Sequence, residues 1–455
     1  MRTKPRMKFA TKILSLAAVL LFCACTDDQI DPTAELDYNL ERAMSTYSPT
    51  HSKDFYILPQ NDNLSEIPQD PKNPLNVSKV KLGQFLFFET GIALDAKNPE
   101  GMGTYSCATC HIPDAGFRPG FLQGIADGGM GFGYNGDGRI MNDNYNEEDL
   151  DVQSARPLSL LNVAFVKNTS WSGQFGAGGV NVGTEHVWSN SEGTKRNNLG
   201  YDGLETQNLE GLHTHRMIVN RNLMVQYGYK HLFDESFPEI NETWRYSNFT
   251  AAMAISAYLR TVITNDAPFQ DYLKGDLSAI SNEEKEGAIL FFGKANCNSC
   301  HYDKNLGSSE FHALGVNDID QHPYSFNKRP DDKRNFGRGG FTNETADLYK
   351  FKVPGIYNTS DTPFFFHGSS KESLEDVIRY KLKAEKENDR VPLSHISGKL
   401  RKIDLTDEEI DKLILFMSKS LRDPNLTAKY QPDHIRSGNC FPNNDYISQQ
   451  DLDCN

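Results

Sequence analysis

Long apolar runs are almost missing from this 455-residue chain. The one clear example, residues 13–22 ("ILSLAAVLLF"), is well short of the roughly 20 residues that a membrane-spanning helix needs. A helix-bundle membrane protein is therefore not expected. Positive charge is also in short supply: 47 Lys+Arg face 61 Asp+Glu, a formal charge of −14. Such a surface is a poor partner for nucleic acid or anionic lipid. Period-two alternation of apolar and polar residues is rare, which argues against an all-β fold. Methionine is absent from the whole stretch between His301 and Phe416, and histidine from the stretch between Ile112 and Glu185.

What is present starts with a leader. Arg2, Lys4, Arg6, Lys8 and Lys12 precede the apolar run with no acid among them, the pattern of an export signal. "FCAC", residues 22–25, resembles a lipobox. Residues 1–24 are expected to be a lipoprotein signal peptide, with Cys25 the lipidated first residue; cleavage by ordinary signal peptidase is the competing expectation. The protein would then be a cell-envelope lipoprotein, periplasmic or on the outer membrane, touching a membrane only through its anchor. Losing the five leader cations takes the net charge from −14 to about −19. That acidity can steer a basic or dipolar electron carrier, or simply keep the protein soluble.

Of the eight cysteines, Cys23 and Cys25 belong to the leader region. Cys440 and Cys454 sit in a polar C-terminal stretch, where export makes a disulfide the expectation. The remaining four form two pairs, each followed by histidine: "CATCH", from Cys107 to His111, and "CNSCH", from Cys297 to His301. Two thiols at this spacing can clamp zinc, cycle as a redox disulfide or add to the vinyl groups of a haem. Only haem needs the following histidine, as axial ligand to iron. The second histidine in register, the long gap between the pairs and the envelope address all weigh against zinc. Two covalent c-type haems are expected, on Cys107 and Cys110 and on Cys297 and Cys300, with His111 and His301 as iron ligands.

The rest of the chain reads as mainly α, two c-type cytochrome domains with long loops. Ser281–Glu284 and Thr406–Glu409 are capping boxes ahead of "GAILFF" and "IDKLILFM", and "FTAAMAISAYLRTV" is an amphipathic helix. The expected organisation is a tether over residues 25–72, an N-terminal haem domain over 73–275, a C-terminal haem domain over 276–425 and a tail over 426–455. The glycine-rich acidic segment 114–151 lacks EF-hand spacing and reads as a solvated loop, with a lid over a cofactor as the alternative.

Four segments in order resemble the bacterial di-haem cytochrome c peroxidases and the related di-haem oxidases that modify tryptophans of a partner protein. They are "LGQFLFFETGIALDAKNPEGMGTYSCATCH", "SLLNVAFVKNTSWSGQFG", "GAILFFGKANCNSCH" and "FKVPGIYNTSDTPFFFHGSSKESLEDVIRYK". The resemblance implies a peroxidatic N-terminal haem, an electron-receiving C-terminal haem and a tryptophan between them, Trp171. It further implies hydrogen peroxide as substrate, an electron-donor cytochrome or cupredoxin as partner, and raises calcium as a further cofactor.

Two departures stand out. The family's electron-receiving haem usually takes a methionine as sixth ligand, and none is available here; the matching position is Lys381, with Tyr380 beside it. The family's peroxide site runs from a glutamine to a catalytic glutamate. Here "LETQNLEGLHTHRM" keeps Gln207 but ends on His215 and Arg216, with Glu210 as another acid in reach. His215 is expected to shuttle the proton and Arg216 to stabilise charge on the departing oxygen. A protein-modifying oxidase and a plain electron-transfer cytochrome are the alternatives to a peroxidase.

Overall fold

The computed structural model describes Met1 and residues 32–454. The leader and Cys25, and with them the expected cleavage and lipid anchor, lie outside the described residues. The helices that matter for the site are α1 (Pro32–Tyr47), α2 (Val77–Phe88), α3 (Gly203–Thr214), α4 (Asn248–Arg260), α5 (Asn282–Phe292), α6 (Leu374–Lys383) and α7 (Asp407–Leu415). Strand is confined to short two-stranded pairings such as Gly129–Met130 with Ile140–Met141, so the mainly α expectation holds.

Two crossed helix pairs organise the chain, and the same local chemistry builds both. In the first, α2 crosses α4; in the second, α5 crosses α7. A Cβ on Gly83 would lie 1.9 Å from the Ala254 carbonyl oxygen, and one on Gly287 would lie 2.0 Å from that of Lys412. Only glycine lets the backbones approach so closely. Each leading helix then ends in a pair of phenylalanines, Phe87–Phe88 and Phe291–Phe292, with edge-on rings 5.2 and 5.1 Å apart. All four are buried, and burying such a ring contributes about 1.5–3 kcal/mol. The capping boxes at Ser281/Glu284 and Thr406/Glu409 form as expected. Each haem motif follows the leading helix of its own pair, and each pair has its own hydrophobic core.

The N-terminal segment is not the expected tether, and the C-terminal segment packs on the body of the protein. From residue 32 onward the expected tether is a packed element: Leu40 and Met44 on α1, then Tyr56, Leu58 and Ile67, lie in the core of the second pair. The C-terminal segment packs instead on the first pair, through Leu426, Tyr430 and Ile435. Its expected disulfide, Cys440–Cys454, is formed. Ser106, beside the first motif, donates to the Pro442 carbonyl at 2.9 Å. Each terminus thus buttresses the half of the molecule encoded farthest from it.

Segment 114–151 is likewise not a solvated loop. Gln123, Asp127, Arg139 and Asp151 are buried. The Arg139 guanidinium donates to the carbonyls of Ile125, Ala126, Gly129 and Gly131, and pairs with Asp445 of the C-terminal segment at 3.3 Å. One buried cation therefore folds the glycine-rich chain back on itself, and places Asp151 at the wall of the site.

Candidate functional site

Both motifs fold as a single tight turn that returns the histidine amide to the first cysteine: His111 N to Cys107 O is 3.1 Å and His301 N to Cys297 O is 3.0 Å. The His111 Nδ1 atom lies 3.0 Å from the Phe117 carbonyl oxygen, and His301 Nδ1 lies 2.8 Å from that of Leu306. A carbonyl can only accept, so Nδ1 carries the proton in each ring and Nε2 keeps its lone pair for a metal. Burial pushes both imidazoles down to about 4, which holds them neutral. The four motif cysteines are free thiols. Paired thiols, a neutral imidazole with a fixed tautomer and a surrounding apolar core suit covalent haem at each site. Among the described residues, the one cluster of three candidate metal-ligating side chains is Cys300, Glu310 and His312. The two cysteine pairs do not converge on a four-thiolate zinc site.

A cavity of about 560 Å³ opens beside the first motif. Cys107, Cys110 and His111 form one part of its wall, and Gln207 and His215 from α3 and its end form another. Asp303, Lys352 and Pro354, from the half carrying the second motif, also line it, as does Trp171. The Trp171 indole nitrogen donates to the Arg156 carbonyl at 2.6 Å, and its own carbonyl accepts from Lys352 N at 2.8 Å. Its ring stands edge-on to Phe351 and His367.

His215 has a partner that sequence spacing did not supply. Its Nδ1 lies 2.7 Å from an oxygen of Asp151, whose side chain is only 4% exposed. A carboxylate accepts, so Nδ1–H donates and Nε2 is left to receive a proton. Burial pulls this imidazole down, yet the charge and hydrogen bond of Asp151 more than offset it, so its pKa stands above the ordinary value. Asp151 ends the segment read as solvated loop, where nothing in the local pattern singles it out.

Arg216 does not join the cavity wall. Helix α3 closes with a Schellman turn, Met217 N to Leu212 O at 2.9 Å and Arg216 N to His213 O at 3.1 Å. Arg216 occupies the left-handed position of that turn, at φ 56°, where glycine is usual. The sharp reversal sends its side chain away from that of His215, to an ion pair with the buried Asp127 and to the Asp149 carbonyl at 3.0 Å. The expected charge-stabilising residue is a structural one. Glu210 lines the cavity but is held by Arg196 at 3.0 Å.

At the second motif the two candidate sixth ligands separate. The Tyr380 hydroxyl donates to the Leu314 carbonyl at 2.6 Å, and burial raises its pKa, disfavouring the phenolate. The Lys381 amine instead faces the motif itself. Burial lowers its pKa, the nearby Cys300 and Cys297 oppose that, and its charge in turn helps to lower the pKa of His301. Its Nζ sits 5.7 Å from the centre of the Phe366 ring.

Residues 77–278 match the family model for di-haem cytochrome c peroxidase. Over that stretch the chain is similar to the di-haem cytochrome c peroxidases. Among curated relatives, it is 26% identical over 369 residues to the methylamine utilization protein MauG of Methylorubrum extorquens, spanning 79% of this chain and 82% of MauG. It is 25% identical over 399 residues to the cytochrome-c peroxidase IdrP1 of a Pseudomonas species, spanning 81% and 89%. Among solved structures, a MauG-like protein associated with microbial copper homeostasis aligns with a TM-score of 0.53 at 23% identity, over 81% of this chain and 95% of that one. The di-haem peroxidase BthA of Burkholderia thailandensis aligns at 0.51 and 18% identity, over 79% and 89%. These likenesses establish a shared fold. Likeness to a di-haem family is consistent with the two CxxCH turns.

Proposed function

We propose that the protein is a di-haem peroxidase that reduces hydrogen peroxide with electrons from a small external redox protein, a cytochrome or cupredoxin. The balance is H2O2 with two electrons and two protons giving two waters. The observation that carries this reading is the His215–Asp151 pair on the wall of a cavity that also contains His111. Cys107, Cys110 and His111 would hold one haem, Cys297, Cys300 and His301 the other. Residues 73–275 and 276–425 are their respective domains, each completed by the opposite terminus. When bound, the haems would supply the redox chemistry, the one at His111 for peroxide and the one at His301 for electrons from the carrier.

The chain's own residues do the rest. His215 Nε2 would accept a proton from one peroxide oxygen and return it to the other, which leaves as water, and Asp151 holds the ring in the tautomer that allows this. Gln207 offers an amide to orient the peroxide. Trp171 bridges the two halves as the path for electrons. Lys381, as a neutral amine, would be a ligand for the second haem, with Tyr380 beside it in the helix. Calcium would need a set of oxygen donors, whereas the Cys300, Glu310 and His312 cluster offers sulfur and nitrogen and does not suit it. The protein acts in the cell envelope, with Cys25 as lipid anchor; none of the described helices is long and apolar enough to cross a membrane.

One observation favours a second reading, the family's protein-modifying oxidase. An amine in place of methionine stabilises ferric iron and lowers the potential of the second haem, which helps to retain oxidising equivalents for a slower substrate. The test is holoprotein matured with c-type assembly and titrated with peroxide under optical and electron paramagnetic resonance spectroscopy. The peroxidase reading predicts two haems by mass, one high-spin and one low-spin ferric signal, and turnover with a reduced carrier. Two low-spin signals and no peroxide reaction would leave only electron transfer.

A further inference from the structure

Burying a charge without a partner is among the costliest things a fold can do. This chain has 61 acids and spends them where they are needed. Arg260 pairs with Glu205 at 2.6 Å, Lys285 with Asp37 at 2.7 Å and Arg139 with Asp445 at 3.3 Å. Buried Lys79 is satisfied by the oxygens of Asn73 and Pro74. Three other buried cations have no carboxylate within ion-pair distance among the described residues: Arg118, Arg156 and Lys352.

Arg156 is 2% exposed and lines the cavity. Its terminal nitrogens donate to the carbonyls of Phe121 and Pro119 and to the Thr362 hydroxyl, but its Nε has no partner. Arg118, 9% exposed, makes one hydrogen bond, to the Asn358 carbonyl at 3.0 Å. The nearest acid acting on it, Asp361, is itself taken by Arg422 at 2.6 Å. Lys352 is 6% exposed and also lines the cavity; its Nζ makes no hydrogen bond and rests 5.2 Å from the centre of the Phe311 ring. Burial pushes Arg156 down to about 9, with Arg118 adding to the shift, and Lys352 down to about 8, where the charge of Asp303 on the same cavity wall, beyond ion-pair distance, opposes the shift and Arg338 adds to it. Arg156 and Lys352 flank one residue: the Trp171 indole is bonded to the Arg156 carbonyl and the Trp171 carbonyl to the Lys352 amide.

We propose that Arg156, backed by Arg118, and Lys352 form a carboxylate-binding cradle on either side of Trp171, whose anion is a group inside the cavity and not part of the polypeptide. Two sources carry that chemistry, the propionates of the covalent haems and a free small carboxylate. The first source rests on the di-haem reading above. Either way, the cations neutralise negative charge beside the path between the two motifs, and their loss favours the oxidised form of the nearer iron.

The test uses holoprotein of wild type, Arg156→Met and Lys352→Met, with haem content by mass, both midpoint potentials by spectroelectrochemistry, and a titration with acetate followed optically and by thermal stability. Retained haems with a downward shift in at least one potential, insensitive to acetate, support propionates as the anion. A saturating acetate response in wild type that is lost in Lys352→Met supports a free carboxylate. Unshifted potentials in both variants together with no acetate response in wild type overturn the proposal, and the cations then serve backbone carbonyls alone. Should a Met variant fail to load haem, Arg156→Lys and Lys352→Arg must load it, because they keep the charge; their failure also overturns it. Wild type without haem would sink the di-haem reading, and the acetate titration would still decide the cradle.

Discussion

Replacing Asp151 with asparagine keeps the shape of the site and removes the charge that faces His215. The bond lost is 2.7 Å long and made to a carboxylate with almost no solvent around it. Hydrogen bonds to charged groups contribute about 1.5–3 kcal/mol. At roughly 1.36 kcal/mol per tenfold in rate, full expression in the transition state slows the first peroxide reaction by about 10- to 150-fold. The pH profile moves as well. His215 must be neutral to take a proton, so the wild-type reaction falls as pH drops through its raised pKa. Without Asp151, burial, aided by the charge of Arg216 and opposed only by the lesser effect of Glu210, lowers that pKa, which carries the acid limb to lower pH even as the plateau falls. Linkage gives a matching stability signature. A raised histidine pKa stabilises the fold below the unfolded value of about 6.5 and loses that contribution as pH rises through the folded value. Hence the stability gap between wild type and variant is widest in acid. Stopped-flow mixing of reduced holoprotein with peroxide across pH, beside thermal melts at the same pH values, measures both. An Asp151→Asn variant with wild-type plateau and unmoved acid limb would refute the reasoning. A slow Glu210→Gln with a normal His215→Gln would transfer the role to Glu210.

Three further outcomes are expected. Trp171→Phe should leave the initial peroxide reaction intact and slow re-reduction of the first haem in single-turnover traces; equal rates would remove Trp171 from the electron path. Lys381→Ala should turn the second haem from low to high spin by magnetic circular dichroism, and acid should do the same to wild type because the amine binds only when deprotonated, whereas Tyr380→Phe should change neither. Arg216→Met should cost about 3–5 kcal/mol in denaturant unfolding, the range for leaving a buried carboxylate unpaired, keep its haem content and move the acid limb to higher pH, because the Arg216 charge lowers the His215 pKa; an acid limb moved to lower pH would contradict this.

What was legible in the sequence is what depends on neighbours a few residues apart. The CxxCH spacing is a covalent requirement of one small group, and the capping boxes are satisfied within a single turn. Lys381 was singled out by resemblance, as the position matching the family's methionine on the helix that begins "SLEDVI", with Tyr380 as the alternative. The misses have the opposite character. Leu40 and Met44 look like isolated apolar residues in a polar stretch, and only the groove beside α5 makes them core. Arg216 is adjacent to His215, so the sequence suggests a shared site. A left-handed turn without the usual glycine divides the two, and no local signal marks it.

Asp151, the member of the site that the sequence did not supply, shows how the site is assembled. His111, Asp151, Trp171 and His215 come from separate parts of the chain, and none is held by the element that carries another. Asp151 stays in place because its amide donates to the Asp127 carbonyl at 3.0 Å. Asp127 is in turn fixed by Arg216 and by the Tyr145 hydroxyl at 2.6 Å. Arg139 then ties that loop to Asp445 in the C-terminal segment, which the Cys440–Cys454 disulfide closes. Arg216 thus holds the loop that holds the Asp151 carboxylate beside His215. A glycine-rich segment with little side-chain core of its own needs such a chain of buried polar contacts to keep one carboxylate oxygen within hydrogen-bonding distance of an imidazole.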